Sequence, residues 1–402
     1  MSRKLFIIDT LKTIVSSLLI ALGLQFIAYP FIHRGVGDKA FGEILTIYTI
    51  LTIASVVLGN TLNNIRLINV DHYSPNYHFS KFSKTLFTSI LIETVVLLVI
   101  LIVFFNLNIL DIFILLIINL LMCLRIYLNV FFRMKLEYNK ILYVAIVQFV
   151  GMMIGLLVFL IVHYWIIVFL MSELFAVAYT IFALRHLKSG DNSPESKPIL
   201  KDFIMLLGTN GLNNVNLYLD RLILLPFIGG KAVTLAFLAT FVGKMLATFM
   251  YPVNNVLLSY ISVNSNWNKF KQYISVNLYS IVALIIVMII SYPLTIFIVS
   301  WLYQTDPQDF KHLIIIGNLG VLINAISIMI QTLNTKHISI TKQANYITIH
   351  TIIYIIVAIF VTISFGLSGF FWATLIANLI KFLVLNLLGI NGIKKQKDSV
   401  GV

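Results

Sequence analysis

Long apolar runs alternate with short polar breaks along the whole chain. Runs of about 20 residues fall at 7–32, 42–62, 84–105, 109–131, 141–162, 165–184, 203–228, 233–258, 275–301, 312–333, 346–366 and 369–391. Each is long enough to cross a hydrocarbon core of about 30 Å as a helix. A membrane barrel would show alternating strands of about ten residues instead. A helix also satisfies its backbone polar groups internally, as a bilayer requires. The pattern therefore predicts an all-α integral membrane protein with about twelve transmembrane helices. The break at His163-Tyr164 is so short that the fifth and sixth spans must form a tight hairpin. The first apolar stretch runs from Leu5 to about Ile32. A signal-peptide core stops after roughly 7–15 apolar residues, so this stretch reads as a retained span.

Composition narrows the class. Of 402 residues, 60% are hydrophobic and 11% charged, with a mean hydropathy of +0.99. A soluble domain carries roughly a quarter charged residues and needs a polar skin that this chain lacks. Soluble enzymes, disordered chains and disulfide scaffolds are excluded. The one cysteine, Cys123, lies in the run Leu120–Leu124 and reads as a packing residue.

The net charge of +13 is mainly an insertion signal. With the N-terminus in the cytoplasm, twenty Lys and Arg residues fall in cytoplasmic segments and four outside. That is the positive-inside bias, and an even span count puts the C-terminus inside as well. The charge is spread over every cytoplasmic loop, so no nucleic-acid partner is expected.

The longest internal polar break, Arg185 to Lys201, contains Gly190, Pro194 and Pro198. It divides the chain into a six-helix bundle at 1–190, a cytoplasmic linker at 191–201, a second six-helix bundle at 202–392 and a cytoplasmic tail at 393–402. The halves share local patterns. Pro30-Phe31-Ile32 followed by Asp38-Lys39-Ala40-Phe41 closes the first span, and Pro226-Phe227-Ile228 followed by Gly230-Lys231-Ala232-Val233 closes the seventh. Each next span ends in an Asn pair, Asn63-Asn64 and Asn254-Asn255. Two even-numbered halves insert the same way up, as bundles related by a pseudo-two-fold axis along the membrane normal.

No phosphate-binding glycine loop, His-Glu-x-x-His run, Cys-His cluster or nucleophile elbow occurs, so no cofactor, metal or enzymatic chemistry is expected. Gly151 and Gly155 match a small-xxx-small spacing that brings two helices close.

Ionisable groups within spans cost several kcal/mol on insertion scales, so each calls for a reason. Glu93 and Glu173 lie near the middle of spans three and six, and Lys244 and Lys381 near the middle of spans eight and twelve. The bland reading is buried ion pairs that hold helices together, and lysines can also snorkel outwards. Lys12 and Arg221 lie nearer span ends, and Arg125 reads as interfacial. Helical spacing groups several of these residues. Asn210, Asn213, Asn214, Asp220 and Arg221 form one stripe on span seven. Thr240, Lys244, Thr248, Tyr251 and Asn255 form another on span eight, Asp9, Lys12 and Ser16 one on span one, and Thr52, Ser55, Gly59, Asn63 and Arg66 one on span two. Adjacent Asp220 and Arg221 do not face each other, so each needs another partner. The four stripes point to a wet cavity of net positive charge between spans one, two, seven and eight, suited to an anionic, hydroxyl-rich cargo.

The run Pro30-Phe31-Ile32…Arg34-Gly35-Val36-Gly37…Phe41-Gly42, and Asp220-Arg221-Leu222-Ile223 followed by Gly229-Gly230, resemble the starts of the two halves of polysaccharide exporters in the multidrug/oligosaccharidyl-lipid/polysaccharide (MOP) superfamily. The group most similar in layout is the Wzx-type flippases of O-antigen and capsule synthesis. The pattern departs where that family often has an aromatic residue after the glycine; Glu43-Ile44 and Val233-Thr234 stand here. The resemblance implies a multi-pass protein of the bacterial cytoplasmic membrane. It would move undecaprenyl-diphosphate-linked oligosaccharide between leaflets by alternating access, coupled to protons or cations. It further implies that Lys244, with Arg221, Lys12 and Lys381, attracts the diphosphate, and that Glu93, Glu173 and Asp220 serve an ion-coupled gate. Polymerases and glycosyltransferases of the same assembly process would be its partners, beside membrane lipid. The rival readings are a cation-coupled multidrug exporter of the same superfamily and a membrane glycosyltransferase or polymerase. The basic stripes disfavour the first, and the short outer loops the second.

Overall fold

A computed structural model describes residues 3–68, 77–78, 80–189, 200–248, 250, 269–334 and 338–400. These residues are almost entirely helical. In chain order the helices are α1 (Arg3–Leu22), α2 (Tyr29–Ile68), α3 (Ser80–Phe104), α4 (Ile109–Met134), α5 (Tyr138–Val162), α6 (Ile166–Ala183), α7 (Leu200–Leu217), α8 (Leu219–Phe227) and α9 (Gly230–Ala239). They continue with α10 (Phe241–Thr248), α11 (Lys269–Ile298), α12 (Ile314–Asn334) and α13 (Ile340–Val400). A single π-helical turn, Gly23–Ala28, joins α1 to α2. Tyr77–His78 and Lys188–Ser189 pair as two-residue parallel strands between helices.

Eight of the helices are long and apolar enough to cross a membrane. Two of these stretches, Leu11–Leu67 and Thr341–Ile393, have 57 and 53 residues. At 1.5 Å per residue each would be about 80 Å long, far more than one crossing needs. A glycine with non-helical backbone breaks each of them, Gly37 in α2 and Gly366 in α13, so each supplies two spans. The bent pair α9–α10 adds another, and α7 with α8, separated by Tyr218 alone, adds the last. Among the described residues, a helical segment thus falls on each of the predicted runs, and the chain is an all-α, multi-pass membrane protein. The expected loop at 33–41 is the main local difference. It is helical on both sides of Gly37, which turns the chain by itself.

The shared pattern of the two halves has a backbone counterpart. Gly37 has φ 80° and ψ 170°, and Gly229 has φ 106° and ψ 174°. Only glycine holds this region without strain. The two glycines precede the matching segments Asp38-Lys39-Ala40 and Gly230-Lys231-Ala232.

The chain divides into two compact units. Unit 1 comprises Met1–Gly37 and Glu43–Tyr218, and unit 2 Asp38–Gly42 and Leu219–Val402. Packing and chain order therefore divide the molecule at different places. The polar linker precedes α7, yet α7 packs within unit 1. Its Phe203 enters a buried cluster with Leu58, Leu62, Ile65, Phe82, Leu86, Ile90, Cys123 and Tyr127. Its Asn210 also donates from Nδ2 to Thr61 Oγ1 at 2.9 Å.

Within unit 1, α5 and α6 form the expected hairpin. His163 takes a left-handed conformation and donates its N–H to Phe159 O at 2.8 Å. A Cβ on Gly151 would stand 2.6 Å from Met171 O, and one on Gly155 2.8 Å from Ile167 O. The small-xxx-small pair thus lets α6 approach the α5 backbone, as the spacing predicted. Tyr164, in the turn, donates its hydroxyl to Asp111 Oδ1 at 2.6 Å.

Within unit 2, α12 packs along both legs of α13. Tyr273 on α11 donates to Asn334 Oδ1 at 2.9 Å, and Asn334 Nδ2 donates to Leu385 O at 2.8 Å. A second core is aromatic. Phe237, Phe41, Phe241 and Tyr303 are buried, and the last three surround Phe237 at ring distances of 5.9–6.0 Å. Beside it Thr234 Oγ1 donates to Asp38 O at 2.6 Å. A Cβ on Gly42 would overlap the Gly230 carbonyl, so the two post-glycine segments are in backbone contact.

Candidate functional site

Three of the ionisable residues singled out by the sequence converge in unit 2. Asp220 and Arg221 begin α8, just after the break at Tyr218. Lys244 lies on α10, one turn past the bend between α9 and α10. Lys244 Nζ donates to Asp220 Oδ2 in an ion pair. The two side chains keep 22% and 13% of their exposure, so protein covers the pair only in part. Arg221 points elsewhere, its guanidinium 5.7 Å from the Phe237 ring centroid, and it is 7% exposed. The adjacent acid and base thus have separate partners, as helix geometry requires. Arg221 and Lys244 thus bring two cations to the neighbourhood of one carboxylate, Asp220.

Beyond Glu195 the acidic residues are Asp202, Asp220, Asp306, Asp309 and Asp398, so Asp220 is the one acid inside the spans of the second half. Lys381 is 3% exposed and donates to Asn324 Oδ1 on α12 at 2.9 Å.

The site owes its form to a bend of 61° between α9 and α10. Thr240 at the bend keeps its side chain on the Ala236 carbonyl at 2.7 Å, and Thr248 returns its hydroxyl to Lys244 O at 2.9 Å. The signal for a break was a lone mid-span polar Thr240 and the following Gly243, which is too common a pattern to read alone.

In unit 1 the candidates disperse. Lys12 pairs with Asp9 one turn away at 3.0 Å, and Ser16 returns its hydroxyl to Lys12 O at 2.7 Å. On α2, Ser55 bonds its own helix at Leu51 O. Asn63 Nδ2 donates to Ile126 O on α4 at 2.7 Å. Arg66 is fully buried, with its guanidinium 4.1 Å from the Phe131 ring centroid and 5.3 Å from that of Phe82. Its Nη1 reaches Tyr127 Oη at 3.4 Å. Asn63 and Arg66 thus tie α2 to α4 inside the packing. Asn214 donates to Asn210 O at 2.8 Å. The side chain of Asn213, and Tyr251 and Asn255 with the end of span eight, lie outside the described residues.

Glu173 is held by Arg125 on α4 in two hydrogen bonds of 2.7 and 3.1 Å, and by Gln148 on α5 at 2.9 Å. Glu173 is 1% exposed. Arg125 is therefore not an interfacial residue: it reaches inward, because the buried carboxylate needs a cation more than the guanidinium needs water. Glu93 on α3 accepts from the Cys123 thiol at 3.5 Å. Cys123 packs as expected, fully buried, yet also supplies this polar contact. Sequence reasoning missed Gln148 and the carboxamide of Asn318 on α12. No group of His, Cys, Asp and Glu that could hold a metal occurs among the described residues.

The geometry thus describes a multi-pass helical membrane protein with a cationic site inside its second unit. No protein-family model and no curated protein sequence matches the chain. Solved structures do. Lipid II flippase MurJ in an inward closed conformation aligns with a TM-score of 0.69 at 14% identity, over 96% of this chain and 91% of that one. An outward-facing multidrug resistance transporter of the MATE family, in the MOP superfamily, aligns at 0.63 and 12%, over 98% and 96%. A MOP-superfamily transporter from Pyrococcus furiosus, noted for the reverse polarity of its binding pocket, aligns at 0.63 and 12%, over 97% and 96%. The chain therefore shares the fold of these solved structures along nearly its whole length.

Proposed function

We propose that the protein is a flippase that moves undecaprenyl-diphosphate-linked oligosaccharide, the repeat unit of a capsule or O-antigen, across the bacterial cytoplasmic membrane by alternating access. Both termini would lie in the cytoplasm, as the charge asymmetry of the loops favours. The observation that carries the reading is the Lys244–Asp220–Arg221 trio. It gathers Lys244, Asp220 and Arg221 inside the spans of the second unit. A cationic drug would meet repulsion there, whereas a diphosphate would meet donors. Its oxygens can take Lys244 from Asp220, because charge-assisted bonds to phosphate match those to carboxylate. Arg221 adds a planar guanidinium beside it. The lipid tail would stay in the bilayer while sugar hydroxyls meet Thr and Asn side chains. MurJ, a lipid II flippase, shares the fold and so lends support.

Two partner acids proposed for an ion-coupled gate differ in freedom. Glu173 is committed to Arg125 and Gln148, while Glu93 keeps one carboxylate oxygen without a protein hydrogen bond among the described residues.

The test is complementation of a flippase-null strain with wild-type protein and with Lys244→Ala at matched membrane levels. Lipid-linked intermediates are then measured on each leaflet. Loss of one charge-assisted contact is worth about 1.5–3 kcal/mol, which corresponds to a fall of roughly tenfold to a hundredfold. Lys244→Arg should retain much of the activity. Undiminished export by Lys244→Ala, or drug efflux with unchanged lipid-linked pools, would overturn the proposal.

A further inference from the structure

The bend that presents Lys244 is held by one side chain from another helix. In an unbroken α-helix the N–H of residue 243 donates to the carbonyl of residue 239. Here Gly243 N–H donates to Asn318 Oδ1 at 2.5 Å. Asn318 Nδ2 in turn donates to Ala239 O at 2.9 Å. The carboxamide therefore stands in the place of one backbone hydrogen bond, accepting from its donor and donating to its acceptor. The second Nδ2 hydrogen is spent on Ile314 O at 2.7 Å, one turn back on α12, which fixes the amide orientation. Asn318 is 1% exposed, and these bonds engage both of its polar atoms. A Cβ on residue 243 would lie 2.6 Å from Asn318 Oδ1, so glycine at this position admits the carboxamide. The regular ladder resumes at the next residue, with Lys244 N–H donating to Thr240 O at 2.9 Å.

We propose that Asn318 is the positioning residue for Lys244: an insertable clasp that keeps the α9–α10 span bent and Lys244 at Asp220. When the carboxamide withdraws, Gly243 N–H bonds Ala239 O directly, the span straightens and α10 carries Lys244 away from Asp220. Both states satisfy the same two backbone groups, so release of the clasp leaves no backbone polar group of the bend orphaned. A side chain inserted into the ladder is a recognised cause of a sharp kink, and its exchange would let one span alternate between two directions. The significance of Lys244 as the moving group rests on the function proposed above; the clasp itself does not.

The experiment reads the bend without any cargo. Spin labels at Lys231→Cys and Leu246→Cys, in a Cys123→Ala background, report the distance across the bend by pulsed electron resonance. Straightening the 61° bend lengthens the backbone separation by about 3 Å, from 1.5 Å of rise per residue. Two substitutions approach the clasp from opposite sides. Asn318→Leu removes the carboxamide, and Gly243→Ala leaves Asn318 intact but crowds its oxygen. Each should shift the distance distribution to the longer value. If Asn318 only adds stability, Asn318→Leu lowers the melting temperature while the folded population keeps the short distance, and the proposal fails. An unchanged distance in Gly243→Ala overturns it equally, and this variant serves where Asn318→Leu does not fold. A failed Lys244→Ala export test would remove the cargo reading and leave this result standing.

Discussion

Arg125–Glu173 in unit 1 and Lys244–Asp220 in unit 2 are both ion pairs between helices, but their surroundings differ. In unit 1 one guanidinium meets one carboxylate in two hydrogen bonds, and Gln148 takes up the remaining capacity. The pair is matched in charge; Glu173 is 1% exposed and the Arg125 side chain keeps 17%. In unit 2 one ammonium meets the same carboxylate that Arg221 adjoins, and the two paired side chains keep 22% and 13% of their exposure. A balanced, buried pair has nothing to offer a ligand and serves to join α4, α5 and α6. On the function proposed above, the Lys244–Asp220 pair would exchange its carboxylate for another anion, and the partners around each charge, rather than its depth in the bilayer, would separate the two roles.

The largest expected effect lies in unit 1. Glu173→Ala leaves Arg125 buried without its anion and should cost about 3–5 kcal/mol, read as a fall in melting temperature in detergent. Replacing both partners, Arg125→Met with Glu173→Leu, should recover most of that loss. If the double variant is no more stable than Glu173→Ala, the pair is not the matched unit described. A smaller effect is expected in unit 2. Asp220→Ala should cost roughly 1–2 kcal/mol, because the partly exposed Lys244 can turn to solvent. A loss as large as that of Glu173→Ala would erase the contrast between the two sites.

The smallest effect concerns Tyr164 in the α5–α6 turn. Burial, and then its hydrogen bond to Asp111, hold its phenol above the usual range. The folded state therefore keeps the proton longer than the unfolded chain does. The contribution is fully present below a pH of about 10, the ordinary tyrosine value, and is lost as pH rises beyond it. Thermal melts of wild type and Tyr164→Phe should diverge at neutral pH and converge on the alkaline side. Parallel curves would show that the Tyr164–Asp111 bond carries no linkage.

Much of this architecture was legible in the sequence because a bilayer imposes length and apolarity segment by segment. Among the described residues, each run carries a helical segment, and Gly151 and Gly155 announced the close approach of α6. The site was legible in part. Asp220, Arg221 and Lys244 stood out as charges in apolar surroundings, and the rule against i,i+1 contacts already assigned Asp220 and Arg221 to different partners. Asn63 and Arg66 carried the same periodic signal, yet their side chains are spent on α4. A polar stripe has the same spacing whether it faces a cavity or a neighbouring helix. Asn318 gave no signal, since a lone Asn in a span is ordinary helix glue.

The sequence by itself determined that the chain is a helical membrane protein, where its apolar runs lie, and that the spans of its second half hold more cations than acids. Each of these follows from local composition, because hydration and the hydrocarbon core act on every residue regardless of its neighbours. The tertiary structure decided which charges are neutralised. It gave Glu173 to Arg125 and Asp220 to Lys244, and it set the carboxamide of Asn318 between Gly243 and Ala239. Such pairings depend on side chains meeting within about 3 Å across helices that are far apart in the chain, a distance that no one-dimensional pattern records.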